Sequence, residues 1–531
     1  MAYTTSYIPA DQSKPTIDLT IGDLLRRAAD RAGDTTALVD GSGDHATRGR
    51  WTYSELLTEA EAGARAMLER FQPGEHVAIL SPNRPEWTFA QLSAAMAGLV
   101  LVTVNPVLRP AEIRYILDQS DAVGVLVAAQ YRDQDLNAVV NGLRPDLALL
   151  RDVIPLNNWS DFRASGNEAK ALPAVASDDA VMIQYTSGTT GAPKGAVLRH
   201  FGIVNAGHFI SERLEREAGD VWVNPLPMFH TGGCVMGTLG TMASLGTQVM
   251  VRDFDPSVVL RLIEEERPIY ALGVPTMVLA LLEHPDFATR DTSSLKVFSS
   301  GASTVPPDLV RRIESSFGVT YNMAMGQTES SSVIFMTRLD STTEQKAETL
   351  GVPLLHWETK VADEQGNAVA IGTAGELCCR GWGVMTGYYK LPEATAEAID
   401  ADGWLHTGDI GVMDEDGYTR ITGRLKDIII RGGENLFPRE IEDVLIKHAD
   451  VADAAVIGVP DPRWGEQPVA FIRPAGEGRP TDAELADFVR ERIASHKVPR
   501  EWFFVDAFPI NAAGKIQKFI LREQYDKQHS G

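Results

Sequence analysis

The chain has 531 residues, 44% of them apolar, with 49 Lys and Arg against 72 Asp and Glu for a formal net charge of −23. That length exceeds what one hydrophobic core supports and calls for two or more domains. The negative balance excludes a broad nucleic-acid footprint or an anionic membrane surface as the main partner, so any bound polyanion must be held by local cations. Cys234, Cys378 and Cys379 match no metal-ligand spacing and no disulfide framework, which points to a reducing compartment.

The opening MAYTTSYIPADQSKP lacks the basic and apolar regions of a secretory signal, and the closing HSG is no lipidation or sorting signal, so a cytoplasmic location is expected. From residue 24 onward, helical stretches (24–32, 53–71) alternate with short apolar runs (76–80, 123–128), as in a layered α/β domain. The apolar window 94–104 is too short for a membrane span and reads as a helix running into a buried strand.

Residues 185–197, YTSGTTGAPKGAV, are the most informative stretch. The residues before the loop, 181–185, read as a strand and those after it, 198–214, as a helix. Gly188, Gly191 and Gly195 allow close backbone approach to an anion, Thr186, Ser187, Thr189 and Thr190 supply hydroxyls, and Lys194 supplies a mobile cation. The loop is not the P-loop G-x-x-x-x-G-K-[ST]: two residues separate Gly191 from Lys194, and Gly195 stands where a metal-binding hydroxyl belongs. Pro193 removes a donor and turns Ala192 toward extended geometry, so Lys194 is not expected in the first turn of a phosphate-capping helix. A clamp around polyphosphate fits better.

Further on, MGQTE at 325–329 places Thr328 and Glu329 after a glycine, suited to a phosphate contact and a hard divalent cation. Between 359 and 422, short strands with many Gly turns predict an antiparallel, β-barrel-like subdomain that contains adjacent strand residues Cys378 and Cys379. WLHTGD at 404–409 offers Asp409 as a bidentate acceptor for a ribose diol, and GRLKD at 423–427 places Arg424 and Lys426 at a domain boundary. The remainder predicts a small α+β unit with helices at 437–448 and 482–495 and strands at 454–458 and 501–505. PINAAGKIQK at 509–518 presents Lys515 after a glycine turn.

Taken in order, these five motifs resemble the adenylate-forming superfamily of acyl- and aryl-CoA synthetases, peptide-synthetase adenylation domains and luciferase. The resemblance covers nearly the whole chain, includes PMFHTGG at 227–233 and RGGENLFPREIE at 431–442, and looks strongest toward fatty acyl-CoA synthetases. It implies a large N-terminal domain, 1–424, of layered α/β subdomains plus the barrel-like one, and a small mobile α+β C-terminal domain, 425–531. It implies ATP, Mg²⁺ and coenzyme A. Residues Thr186 to Lys194, with Ser187, Gly188, Thr189, Thr190 and Gly191, would hold the β- and γ-phosphates. Thr328 would touch the α-phosphate and Glu329 the Mg²⁺, with Gln327 beside them. Gly301 and Ala302 would line the adenine, and Asp409 and Arg424 would bind the ribose. Lys515 would bridge the acid and the α-phosphate, Lys426 would be the hinge, and Gly432 and Gly433 would line a pantetheine tunnel. His230 would sit beside the acyl carboxylate. One departure is Met325, where the family usually carries an aromatic residue against the adenine.

The implied reaction joins two anions, so cations at the phosphoryl oxygens are obligatory. The segments expected around the acid, those after His230 and at 300–304, 323–327 and 331–335, are small or apolar and offer no charged partner, which favours an uncharged tail. Gly232 and Gly233 are expected to leave room for it. A medium- or long-chain fatty acid is therefore expected, with an aryl or cinnamate-type acid, or loading of a carrier protein, as the alternatives. The expected partners are a small carboxylic acid, ATP and coenzyme A, with no nucleic acid and no integral membrane segment; a homodimer is compatible with them.

Overall fold

Runs such as HVAIL, VLVTV and GVLV are apolar on both faces, and such runs settle where helices cover both sides of a parallel sheet. A computed structural model, describing residues 3–186, 192–301, 305–432, 434–476, 478–510 and 516–529, shows that outcome. The chain divides into two units, one of Ile8–Thr359 with Cys379–His406, the other of Met1–Tyr7, Lys360–Cys378 and Thr407–Gly531.

The larger unit contains two large sheets, beside a two-stranded one of Gln130–Tyr131 and Gln134–Asp135. The first runs, in spatial order, Gly387–Tyr388, Lys194–Arg199, Ala180–Thr186, Val100–Val104, His76–Leu80, Gly124–Val127, Asp152–Pro155. Its strands from Ala180–Thr186 onward are parallel, and the two preceding ones are antiparallel additions. Ala78, Leu80, Val102 and Val125 pack with Ile113, Ile116 and Leu117 of the Pro110–Gln119 helix. The second sheet has nine strands, with Val297–Gly301 and Thr320–Gln327 parallel near one side. Its strand residues Val223, Val249 and Phe298 pack against Leu260 and Ile263, Val278 and Leu281, and Val310, Ile313 and Phe317 from three helices. The Ile21–Ala32 and Tyr53–Leu68 helices each begin with a capping box, Thr20 with Asp23 and Thr52 with Glu55.

Residues 194–199 depart from the sequence reading. They form a strand, and the following helix starts only at His200. KGAVLR is flanked by Ala180–Thr186 on one side and Gly387–Tyr388 on the other, and two hydrogen-bonding edges override a local helical pattern. The phosphate-motif loop therefore joins strand to strand.

Residues 375–378, 407–413 and 419–424 of the smaller unit belong to a five-stranded sheet whose order ends at Tyr7–Ile8 on one side and Thr419–Arg424 on the other. The barrel-like expectation thus takes the form of an open sheet among the described residues. The last hundred residues build a second sheet around Val451–Asp461 and Gly465–Pro474, which pair along their whole length. Alternation along them splits the core in two. Ala454 and Val456 face Ile441, Leu445, Leu485 and Val489 from two helices, while Ala455, Ile457 and Val459 face Leu521 and Tyr525 of Lys518–His529.

His200 shows how the larger unit depends on a neutral imidazole. Its Nδ1 accepts a hydrogen bond from the Ile21 amide at 3.1 Å, and burial holds its pKa down at about 4. A depressed histidine contributes stability that is complete above the unfolded value near 6.5 and lost as pH falls toward 4. Between pH 7 and pH 4.5 this group alone is expected to remove about 2–3 kcal/mol of unfolding free energy. Urea titrations at the two pH values should show that loss, and His200→Asn, which keeps an acceptor but cannot take up a proton, should flatten it.

Candidate active site

In open parallel sheets, ligands gather outside the carboxyl ends of the strands. Ala180–Thr186 lies parallel to Val100–Val104 and ends at Thr186, and Val297–Gly301 and Thr320–Gln327 end at Gly301 and Gln327. The sequence motifs sit at those ends.

Thr186 is the register partner of Lys194, and its hydroxyl donates to the Lys194 carbonyl at 3.4 Å. The two ends of the intervening loop are thus stapled as an antiparallel pair. Ser187, Gly188, Thr189, Thr190 and Gly191 lie outside the described residues. Gly195 is required by packing, because a Cβ there would stand 2.8 Å from Ile183 Cγ2 and 3.1 Å from the Tyr185 ring. The Lys194 ammonium lies over the ring of Tyr388, 5.1 Å from its centroid.

The second group is carried by a tight reversal. At Gly326 a Cβ would fall 1.6 Å from the carbonyl oxygen of Ser332, so only glycine permits the return strand to approach. A short 3₁₀ turn, Thr328–Ser330, follows. Ser331 (φ 61°) and Ser332 (φ 138°) then take backbone conformations that side chains rarely adopt, at a cost of about 1–3 kcal/mol each. The Ser330 hydroxyl, which accepts from the Gln327 amide at 3.1 Å and donates to the Gln327 carbonyl at 2.8 Å, holds the turn closed. Its product is the placement of Glu329, whose Oε1 accepts the Tyr388 hydroxyl at 2.8 Å and whose backbone carbonyl accepts the Met385 amide at 2.8 Å. Glu329 Oε2 has no hydrogen-bond partner among the described residues, and no lysine or arginine pairs with this carboxylate there. A hard oxygen ligand left in that state suits a divalent cation such as Mg²⁺.

Gly301 pairs with Ala324 and is likewise obligatory, since a Cβ would stand 2.6 Å from the Ala324 carbonyl. Ala302 lies outside the described residues. Met325 pairs with Phe335 across the return strand.

His230 caps the segment leading into Gly232–Leu239, a π-helical stretch of the kind that often marks a functional site. Its carbonyl accepts the Gly233 and Cys234 amides, and its ring lies 4.7 Å from that of Phe229. The glycines here do a different job from the one expected. A Cβ on Gly233 would meet the Pro227 carbonyl at 2.2 Å, and one on Gly232 would meet Leu226 Cδ1 at 2.8 Å. They allow the chain to pack on itself; the space beside them is already filled. Cys234 is buried against Gln184, whose Nε2 lies 3.3 Å from its sulfur, and its carbonyl faces Gln91 Nε2 at 3.4 Å.

In the smaller unit, Asp409 and Arg424 are cross-strand partners, with Arg424 Nε 2.9 Å from Asp409 Oδ1. Lys426 sits in the 3₁₀ turn Leu425–Asp427. Gly432, at φ 62°, turns between the strands Ile429–Arg431 and Glu434–Leu436. Its amide donates to the Trp464 carbonyl at 2.7 Å, and a Cβ would lie 2.9 Å from the Trp464 ring. Gly433 and Lys515 lie outside the described residues; Ile510 and Ile516, which flank the Lys515 segment, pair in antiparallel fashion.

The larger unit thus brings Thr186, Lys194, Thr328 and Glu329 to the strand ends, and the link between Lys194 and Glu329 is Tyr388. Sequence reasoning missed it. It occupies a strand of only two residues, Gly387–Tyr388, and the GYYK run at 387–390 was the sole local trace of it.

A model of the AMP-binding enzyme family matches residues 25–389, and one of the AMP-binding enzyme C-terminal domain matches residues 440–515. The chain belongs to the AMP-binding enzymes, the adenylate-forming ligases. It is 38% identical to YngI of Bacillus subtilis (strain 168), itself named only provisionally as an acyl-CoA synthetase, over 96% of this chain and 97% of that one. It is 34% identical to the bovine mitochondrial medium-chain acyl-CoA ligase ACSF2 over 98% of this chain and 90% of that one. A solved fatty acyl CoA synthetase of Mycobacterium tuberculosis shares the fold with a TM-score of 0.78 at 30% identity, covering 96% of this chain and 99% of that one. No helix among the described residues is long and apolar enough to cross a membrane.

The three cysteines form no disulfide and all are buried, and burial pushes the Cys234 thiol up to about 12. At pH 8 the native protein is expected to take up almost no iodoacetamide, because the thiolate is the reactive form. Mass spectrometry should find three alkylated cysteines after unfolding in urea; fast native labelling of Cys234 would contradict this burial.

Proposed function

We propose that this chain is a fatty acyl-CoA synthetase acting on a medium- or long-chain acid. The observation that carries the reading is the meeting of Lys194 and Glu329 at the strand ends, a cation for polyphosphate and a carboxylate ligand for its metal, delivered by separate segments to one aromatic side chain. The name of its relative ACSF2, a medium-chain acyl-CoA ligase, supports the choice of acid, as do the buried apolar residues Val235 and Met236 after His230.

In the first step a carboxylate oxygen of the acid attacks the α-phosphorus of ATP, the α–β bridging bond breaks, and pyrophosphate leaves. Lys194 and the hydroxyls of 186–190 hold the departing pyrophosphate, and Thr328 contacts the α-phosphate. A bound Mg²⁺ would neutralise phosphate charge, and Glu329 is the residue that would hold it. Asp409 accepts from the ribose diol beside Arg424, Gly301 and Ala302 flank the adenine, and Lys515 bridges the acid and the α-phosphate. In the second step the coenzyme A thiolate attacks the acyl carbonyl carbon and AMP leaves. Rotation of 425–531 relative to 1–424 about Lys426 withdraws Lys515 and brings Gly432 and Gly433 to the pantetheine path, and His230 sits beside the acyl carboxylate and shifts as the site changes state. The absence of any disulfide among the three buried cysteines supports a cytoplasmic setting.

The test is pyrophosphate release with a panel of acids, from octanoate to palmitate together with benzoate and cinnamate, with and without coenzyme A. Turnover only of the aryl acids would replace the fatty-acid reading, and acyl-AMP that only a carrier protein accepts would replace the second step. Lys515→Ala is expected to lower acid-dependent pyrophosphate exchange by about a hundredfold or more while keeping thioester formation from supplied acyl-AMP. Equal loss of both steps would contradict the alternating-domain account.

A further inference from the structure

Tyr388 touches both charged groups of the proposed polyphosphate site. Its hydroxyl donates to Glu329 Oε1 at 2.8 Å, and its ring face carries the Lys194 ammonium at 5.1 Å. A lysine and a glutamate that flank a phosphate site attract one another, and a direct ion pair between them would occupy both groups that the substrate needs. Among the described residues no such pair forms; the tyrosine stands between them.

The hydroxyl is not needed to hold its own strand. The Thr386 amide donates to the Val197 carbonyl at 2.9 Å, the Tyr389 amide to the Gly195 carbonyl at 2.8 Å, and the Met385 amide to the Glu329 carbonyl at 2.8 Å. The Tyr388 amide itself donates to Thr395 Oγ1 at 2.8 Å. With the backbone secured by four bonds, the side-chain bond to Glu329 is free to serve the carboxylate. The phenol hydroxyl is the donor in this bond, and the carboxylate oxygen accepts it. Because it engages Oε1 alone, it orients the carboxylate and leaves Oε2 to a cation. Groups that hold a metal ligand in this way commonly affect metal affinity by tenfold to a hundredfold.

We propose that Tyr388 is a positioning residue that orients Glu329 through its hydroxyl and seats Lys194 on its ring, keeping the metal-binding carboxylate and the phosphate-binding ammonium apart until metal and nucleotide arrive. The proposal rests on the reading of Glu329 and Lys194 given above. It concerns how this chain prepares those two groups.

The experiment is direct binding of Mn²⁺ to the ATP complex of the full chain, followed by electron paramagnetic resonance, beside metal-free ATP binding by calorimetry and thermal unfolding. Tyr388→Phe, which keeps the ring, is expected to weaken Mn²⁺ binding about tenfold with metal-free ATP affinity and melting temperature unchanged. Tyr388→Leu, which removes the ring as well, should also weaken metal-free ATP binding. In a Glu329→Gln background, Tyr388→Phe should cause no further loss. Wild-type Mn²⁺ affinity in Tyr388→Phe, additive losses in the double variant, or equal loss of metal-free ATP binding and thermal stability would each overturn the proposal. Wild-type protein that binds no Mn²⁺ with ATP would instead overturn the assignment of Glu329, and this proposal with it.

Discussion

The carbonyl oxygen of Ser332 occupies the space that a side chain at residue 326 would need, and the candidate site is arranged around that approach. Because the return strand comes so near, the chain must reverse within the 3₁₀ turn Thr328–Ser330 and leave it through two left-sided backbone conformations. Such strain persists only where surrounding contacts over-determine it. Here the Ser330 hydroxyl and the pairing of Thr320–Gln327 with Ser332–Met336 provide them. The return is a rigid post that carries Glu329 at the mouth of the nine-stranded sheet.

The same economy of backbone appears at the other sheet. Lys194 begins a strand that pairs with Ala180–Thr186 and Gly387–Tyr388, which fixes its backbone and leaves its long side chain to reach the Tyr388 ring. In a chain with a formal charge of −23, a polyanionic substrate needs local cations whose charge is not already spent on neighbouring carboxylates. The stacking of Lys194 on an aromatic ring, rather than on an acid, meets that need. Asp409 and Arg424 follow the opposite rule in the smaller unit, where cross-strand register holds them in contact and orients the carboxylate.

Local pattern made much of the architecture legible. Apolar runs marked His76–Leu80 and the neighbourhood of Gly124–Val127, and the helix before Leu445 and the strand Glu501–Phe504 appeared where periodicity put them, because buried strands and amphipathic helices write their burial into the sequence. The hairpin at Thr186 and Lys194 was misread as strand to helix. Residues 194–199 carry no local signal stronger than the two neighbouring strands that claim their hydrogen bonds, and those neighbours lie up to about two hundred residues away in the chain. Gly232 and Gly233 were misread for a related reason: a missing side chain in sequence looks like room, but here the nearby Leu226 and Pro227 had already taken it.

What the sequence determined by itself was the chemistry on offer, since the order and spacing of the hydroxyl, glycine, lysine and carboxylate motifs define a class of reaction whatever their exact placement. It also determined the layered α/β class, through periodicity that needs no long-range information. Only the tertiary structure decided which groups meet. Tyr388 sits in a two-residue strand with no periodicity to read, and it becomes the contact between Lys194 and Glu329 because edge pairing and a strained reversal, set by atoms distant in sequence, bring three separate segments within hydrogen-bond and stacking range.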